Sequence, residues 1–136
     1  MTAEGKTLDG SCQCGKVGYR VTGEPDYMAH CHCIDCRKMH GAAFATYVGV
    51  PRSGFTWVSG EDQLTTFKVE SGTIRGFCRT CGSILASWTE GEPGNIYITA
   101  GTLDSPIAKR PENHIWVRSR APWFEIRDGL PQKEKY

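Results

Sequence analysis

Cys31-His32-Cys33-Ile34-Asp35-Cys36 and Cys78-Arg79-Thr80-Cys81-Gly82 are the stretches on which the reading of this chain turns, with Cys12-Gln13-Cys14-Gly15 as a third cluster. Together they hold all seven cysteines of the 136 residues. Seven is odd, so a fully disulfide-bonded monomer would leave one thiol over. A C-x-C pair also makes a poor disulfide, because the ring it closes is small and strained. Metal ligation meets neither difficulty. On extended backbone, residues i and i+2 share a side, so Cys12 and Cys14 can face one ion, and so can Cys31 and Cys33. In a C-x-x-C turn two sulfurs converge while backbone N–H groups donate to them. Gly15 and Gly82 follow Cys14 and Cys81 directly and suit such turns, because glycine accepts positive φ.

The natural division is four plus three. Cys12, Cys14, Cys78 and Cys81 would make a closed tetrahedral four-thiolate zinc site, which is structural because no position is left for substrate. Cys31, Cys33 and Cys36 form a local trio that leaves one position open, the mark of a catalytic or ligand-binding zinc. A rival division takes Cys33, Cys36, Cys78 and Cys81 as a zinc ribbon, although the intervening stretch is much longer than ribbon spacing. The trio could also be closed by a histidine as a second structural site. His30 and His32 alternate with the cysteines and face away on extended backbone. His40, four residues past Cys36, could reach back along a helix. Four thiolates would suit iron as well as zinc.

Composition bounds the partners. Sixteen Lys plus Arg against fifteen Asp plus Glu give a formal net charge of +1. That balance provides neither the basic face that nucleic acid wants nor a polybasic membrane anchor. Met1–Leu8 lacks the apolar core of a signal peptide, and no run approaches the length needed to cross a bilayer. A cytoplasmic location follows, where thiols stay reduced and clustered cysteines point to metal or redox chemistry. Residues 1–136 are read as a single domain.

Short runs punctuated by 16 glycines and 7 prolines predict strands over Val17–Val21, Phe44–Val50, Gly54–Val58, Leu64–Val69, Thr73–Phe77, Ile84–Ser87 and Ile96–Ala100. One helical turn is expected over Ile34–His40, with Asp35 as a capping residue. Ala108–Asn113 reads as a loop, and the charged tail Gln132–Tyr136 as mobile. The fold class is mainly β, with antiparallel sheets and few or short helices.

With these residues in place the chain resembles the GFA family, the glutathione-dependent formaldehyde-activating enzymes, which includes the related region of centromere protein V. The matching pieces are Gly10-Ser11-Cys12-Gln13-Cys14-Gly15, His30-Cys31-His32-Cys33-Ile34-Asp35-Cys36-Arg37-Lys38 and Phe77-Cys78-Arg79-Thr80-Cys81-Gly82-Ser83. Gly101-Thr102-Leu103-Asp104 and His114-Ile115-Trp116-Val117, leading to Trp123, complete them. Three cysteine clusters in this order form a far more specific signal than one C-x-x-C. The resemblance implies a β-tent fold around two Zn2+ per chain. Cys12, Cys14, Cys78 and Cys81 would hold the structural ion, and Cys31, Cys33 and Cys36 the catalytic one. It also implies a carbon–sulfur lyase acting on a thiol–aldehyde adduct such as S-(hydroxymethyl)glutathione, with glutathione as small-molecule partner. The alternatives are a non-catalytic zinc-stabilised binding module and a thiol or metal sensor.

For that chemistry, Arg37, Lys38 and Arg79 are candidates to offset thiolate charge, and His32 and His40 to move protons. Arg118 and Arg120 would alternate on a strand and could clamp a carboxylate. Trp116 and Trp123 read as core or pocket wall, and His114 as a buried hydrogen-bonded residue.

Overall fold

The computed structural model describes residues 7–92 and 94–136. Most of Met1–Leu8, and Pro93 of the turn before the last predicted strand, lie outside them. Ten strands and one α-helix are present among the described residues: β1 (Thr7–Ser11), β2 (Gly18–Thr22), β3 (Tyr27–Cys31), α1 (Ile34–His40), β4 (Ala45–Pro51), β5 (Phe55–Ser59), β6 (Leu64–Lys68), β7 (Thr73–Cys78), β8 (Ile84–Thr89), β9 (Asn95–Thr99) and β10 (Asn113–Ile115). They form a three-stranded sheet, β1-β2-β5, and a seven-stranded sheet, β10-β3-β4-β9-β8-β7-β6. All pairs are antiparallel except β10 with β3. The mainly β, largely antiparallel architecture with one short helix is the one the sequence predicts.

Side-chain alternation gives the larger sheet two different faces. Val48, Ile98, Ala86 and Gly76 are successive cross-strand partners of β4, β9, β8 and β7. Val48, Ile98 and Ala86 are buried in the main core with Val17, Tyr19 and Val21 of the smaller sheet's side. Their neighbours one residue along, Tyr47, Tyr97, Ser87 and Arg75, line a cleft on the opposite face. Burial of the apolar row contributes about 25 cal/mol per Å² and fixes the register, because a one-residue slip would exchange the two faces. Core packing therefore decides which side chains reach the cleft.

Three strands escaped the sequence reading. β1 carries Asp9, Gly10 and Ser11, β3 (Tyr-Met-Ala-His-Cys) has no β-branched residue, and β10 has three residues. The tail predicted as mobile is tied down instead. Lys133 N donates to His114 O at 2.9 Å, Val117 N to Lys133 O at 3.0 Å and Trp116 N to Lys135 O at 2.6 Å. The Tyr136 ring also sits 5.3 Å from that of Trp116. These are mainly backbone contacts, which charged side chains do not advertise.

Candidate metal centre and cleft

The β1–β2 turn carries Cys12 and Cys14, and the β7–β8 turn carries Cys78 and Cys81. Gly15 N donates to Cys12 O at 3.0 Å and Gly82 N to Cys78 O at 2.7 Å. Gly15 and Gly82 have φ of 81° and 83°, so both turns need the left-handed freedom of glycine. The four sulfurs lie within 4.8 Å of one another. Cys12 and Cys14 are 3.6 Å apart, and Cys14 and Cys78 are 3.8 Å apart. Tetrahedral zinc with Zn–S of about 2.3 Å would set its sulfurs about 3.8 Å apart, so this donor set fits the ion. Val17 N donates to Cys12 Sγ at 3.3 Å, and Cys81 Sγ lies 3.3 Å from Ser83 Oγ. The Ser83 hydroxyl and backbone N–H bring the Cys81 thiol down to about 5, toward the thiolate a metal requires.

Cys31 closes β3, Cys33 is the N-cap of α1 and Cys36 lies in its first turn. Cys33 Sγ accepts from Cys36 N at 3.3 Å, so a thiol of the trio caps this helix rather than Asp35. The three sulfurs again lie within 4.8 Å of one another. Hydrogen bonds from Cys31 and Cys36 pull the Cys33 thiol far down, and the same contacts push Cys31 up. These two clusters could hold metal ions. The ribbon set of Cys33, Cys36, Cys78 and Cys81 is not brought together.

The histidines do not complete the trio. His40 Nε2 is 2.9 Å from Tyr47 Oη. His30 pairs in register with His114 of β10, on the face opposite Cys31. Its Nδ1 lies 2.7 Å from Thr46 Oγ1. His32 is fully buried, with Nε2 2.8 Å from His114 Nδ1, and His114 Nε2 is 2.8 Å from Asp128 Oδ2. His114 is thus the buried, hydrogen-bonded residue expected. His30, His114 and Asp128 also bring donor atoms within 4.8 Å, but their own hydrogen bonds account for that grouping.

The cation beside the trio is one the sequence reading passed over. Arg75, in the middle of β7 and 4% exposed, donates from Nη1 to Tyr47 Oη. Its Nη2 lies 3.7 Å from Cys36 Sγ, and Tyr47 Oη is 4.0 Å from the same sulfur. The signal that could have found it was a lone arginine in an alternating strand, on the face opposite the core. Arg37, nominated instead, donates from Nη1 to Ser119 O at 2.9 Å and ties α1 to the chain after β10. Lys38, on α1, and Arg79 are both exposed, and neither has a hydrogen bond or ion pair to the thiols among the described residues.

Arg118 and Arg120 are not on a strand. Trp116, the one non-glycine residue at positive φ among those described, turns β10 into the 3-10 turn Val117–Ser119. Arg120 Nη1 then donates to Ala121 O and Phe124 O. Trp123 is 70% exposed and belongs neither to the core nor to the cleft lining. Trp116 does wall the cleft, together with the trio, Tyr47, Arg75 and Tyr136, around about 750 Å³.

Among the described residues no helix is long and apolar enough to cross a membrane. A solved Rhodobacter sphaeroides protein shares the fold at a TM-score of 0.58 and 22% identity, over 74% of this chain and 91% of that one. A Halomonas elongata protein carrying the provisional name glutathione-dependent formaldehyde-activating enzyme is 28% identical over 126 residues, covering 88% of this chain and 80% of that protein. The family model described as "Glutathione-dependent formaldehyde-activating enzyme" matches residues 7–119, so the chain that sets these seven thiols in two clusters belongs to the GFA family.

Proposed function

We propose that the protein is a zinc-dependent carbon–sulfur lyase acting on a thiol–aldehyde adduct, S-(hydroxymethyl)glutathione being the adduct for which its family is named. The observation that carries this reading is the setting of the trio. Among the described residues no His, Asp or Glu donor joins Cys31, Cys33 and Cys36, and all three thiols line the cleft. A fourth position for a ligand is therefore left on the side where a substrate would sit.

In the cleaving direction the carbon–sulfur bond breaks, its electron pair returns to sulfur, the hydroxyl proton leaves and the aldehyde carbonyl forms. A zinc ion on the trio would supply Lewis acidity toward that oxygen or affinity for the departing thiolate. Arg75 would counter the negative charge gathered there, since its Nη2 already faces Cys36 Sγ. Tyr47 Oη faces the trio and continues to His40 Nε2, a hydrogen-bonded path for the proton. Burial of Tyr47 and Arg75 keeps this corner poor in water and strengthens each contact.

The test is zinc content per chain, with exchange of formaldehyde between free and thiol-bound forms followed by NMR above the uncatalysed rate. Two ions in the wild type, about one in Cys33→Ser, and exchange only in the wild type are expected from one open site of two. Two ions with no thiol-dependent exchange would replace the lyase with a zinc-stabilised binding module. Rapid alkylation of Cys36 in zinc-loaded protein would favour a sensor.

A further inference from the structure

The walls of the cleft carry information about which thiol enters. Aromatic rings supply much of their apolar surface: Tyr27, Trp88, Tyr97, Trp116 and Tyr136 all contribute. Charge is distributed unevenly. Asp35, between Cys33 and Cys36, and Glu92, in the β8–β9 turn, both line the cleft, and the one cation among its described lining residues is Arg75. That cation is 4% exposed, and both its Nη groups are already directed at Tyr47 and Cys36.

The neighbouring arginines are not among the lining residues, and each is engaged by backbone carbonyls. Arg37 is bonded to Ser119 O, and Arg120 to Ala121 O and Phe124 O. Arg52 Nη1 donates to the carbonyls of Glu92 and Thr89, and its guanidinium lies 6.0 Å from the Trp88 ring. A zinc ion on three thiolates would itself carry a net charge of about −1, leaving the cleft more negative still. Glutathione brings two carboxylates and one ammonium. Carboxylates recognised inside a protein are met by free Arg or Lys forks, and here they would meet Asp35, Glu92 and the thiolates.

We infer that the thiol served by this cleft carries an apolar or aromatic body and no carboxylate, and that it is presented to the trio as its hydroxymethyl adduct. The aromatic walls bury the body, and the acidic rim rejects anionic competitors, an attractive and a repulsive element acting together. This inference deepens the lyase reading and rests on it for the word adduct, while the charge preference stands on the cleft alone.

The test uses full-length, zinc-loaded protein and two matched pairs: glutathione against its diethyl ester, and benzyl mercaptan against 4-(mercaptomethyl)benzoate. Binding is read by calorimetry and by quenching of tryptophan fluorescence. In each pair the form without carboxylate should bind roughly five- to tenfold tighter at low salt, the size of effect expected from like charges across a partly screened cleft. The double change Asp35→Asn with Glu92→Gln should shrink that ratio toward one, and Trp116→Ala should weaken benzyl mercaptan more than glutathione. Equal or tighter binding of the carboxylate-bearing members overturns the inference, and so does a ratio that ignores Asp35 and Glu92.

Formaldehyde exchange is measured on the same four thiols. Turnover of the glutathione adduct with no preference for the ester would sink the inference and leave the lyase standing. The binding preference with no exchange on any thiol would sink the lyase and leave the charge preference standing.

Discussion

His32 Nε2 lies 2.8 Å from His114 Nδ1, so the side chain between two thiols of the trio is held by the parallel edge strand β10. The Asp128 carboxylate beyond it only accepts, so His114 donates from Nε2. Its Nδ1 then accepts from His32 Nε2–H, and His32 Nδ1 is left bare. That nitrogen is buried and has no partner in the structure, so no acceptor is placed to hold a proton on it. The chain anchors the backbone that carries Cys31 and Cys33.

Removing the anchor should therefore be felt at the metal. His114→Ala should destabilise the zinc-loaded protein by about 2 kcal/mol, the cost of an orphaned buried donor. It should also release one of two zinc ions at several-fold lower chelator concentration, because the backbone between Cys31 and Cys33 loses its anchor. Asp128→Asn keeps an acceptor and should cost less than about 1 kcal/mol. Guanidinium unfolding and chelator titration read both. An unchanged zinc profile in His114→Ala would break the link between this chain and the trio.

The same burial makes a pH prediction. Desolvation, then the neighbouring His114, lowers the His32 pKa from 6.5 to about 4. The folded chain thus excludes a proton that the unfolded chain binds between those values, and stability falls as pH drops through that window. Imidazole 15N shifts recorded from pH 7.5 down to 5 should keep His32 neutral, with its proton on Nε2. A His32 signal with a midpoint near 6.5 would contradict both the burial and the tautomer.

Sequence and structure part company in particular places. Seven strands were legible because β-branched and aromatic residues alternate between turn residues, as in Thr73–Phe77. β10 was not, since three residues cannot display a period and its partner β3 lies far off in the chain. The grouping of the thiols was legible because spacing brings neighbouring sulfurs together and the resemblance to the GFA family favoured four plus three over the ribbon division. Arg75 was not, because its importance comes from a side-chain hydrogen bond to Tyr47 of β4, three strands away from β7 in the sheet, a long-range relation that no local pattern contains. Arg118 and Arg120 were misplaced because the left-handed turn at Trp116 breaks the alternation they suggested.

Arg75 yields the sharpest electrostatic test. Its guanidinium faces Cys36 Sγ and Tyr47 Oη together, favouring the thiolate form of the sulfur it donates to. Arg75→Met keeps much of the volume and removes the charge. It should weaken the second zinc ion about tenfold at pH 7, because the thiols must then ionise with less help. Arg75→Lys keeps the charge but not the fork, and should recover only part of the loss. Competition with a chromophoric chelator measures both. Equal affinity in all three proteins would remove Arg75 from the account of the trio.

The four-cysteine cluster should matter to the fold in a way the trio does not. Cys14 and Cys78 are separated by 64 positions, and their turns belong to different sheets, so a metal here clamps β1-β2-β5 onto the seven-stranded sheet. Such a clamp stabilises only the folded chain, since the unfolded one does not hold the four sulfurs together. Cys81→Ser should then lower Tm by about 10 °C, a loss of roughly 3 kcal/mol in a chain of this size. Cys33→Ser, at a trio whose members all come from one short stretch, should lower it by less than about 5 °C. Calorimetry with zinc counted in the same samples decides between them. Equal losses would mean that both clusters carry the fold, and the separation of a structural from an open site would fail on stability alone.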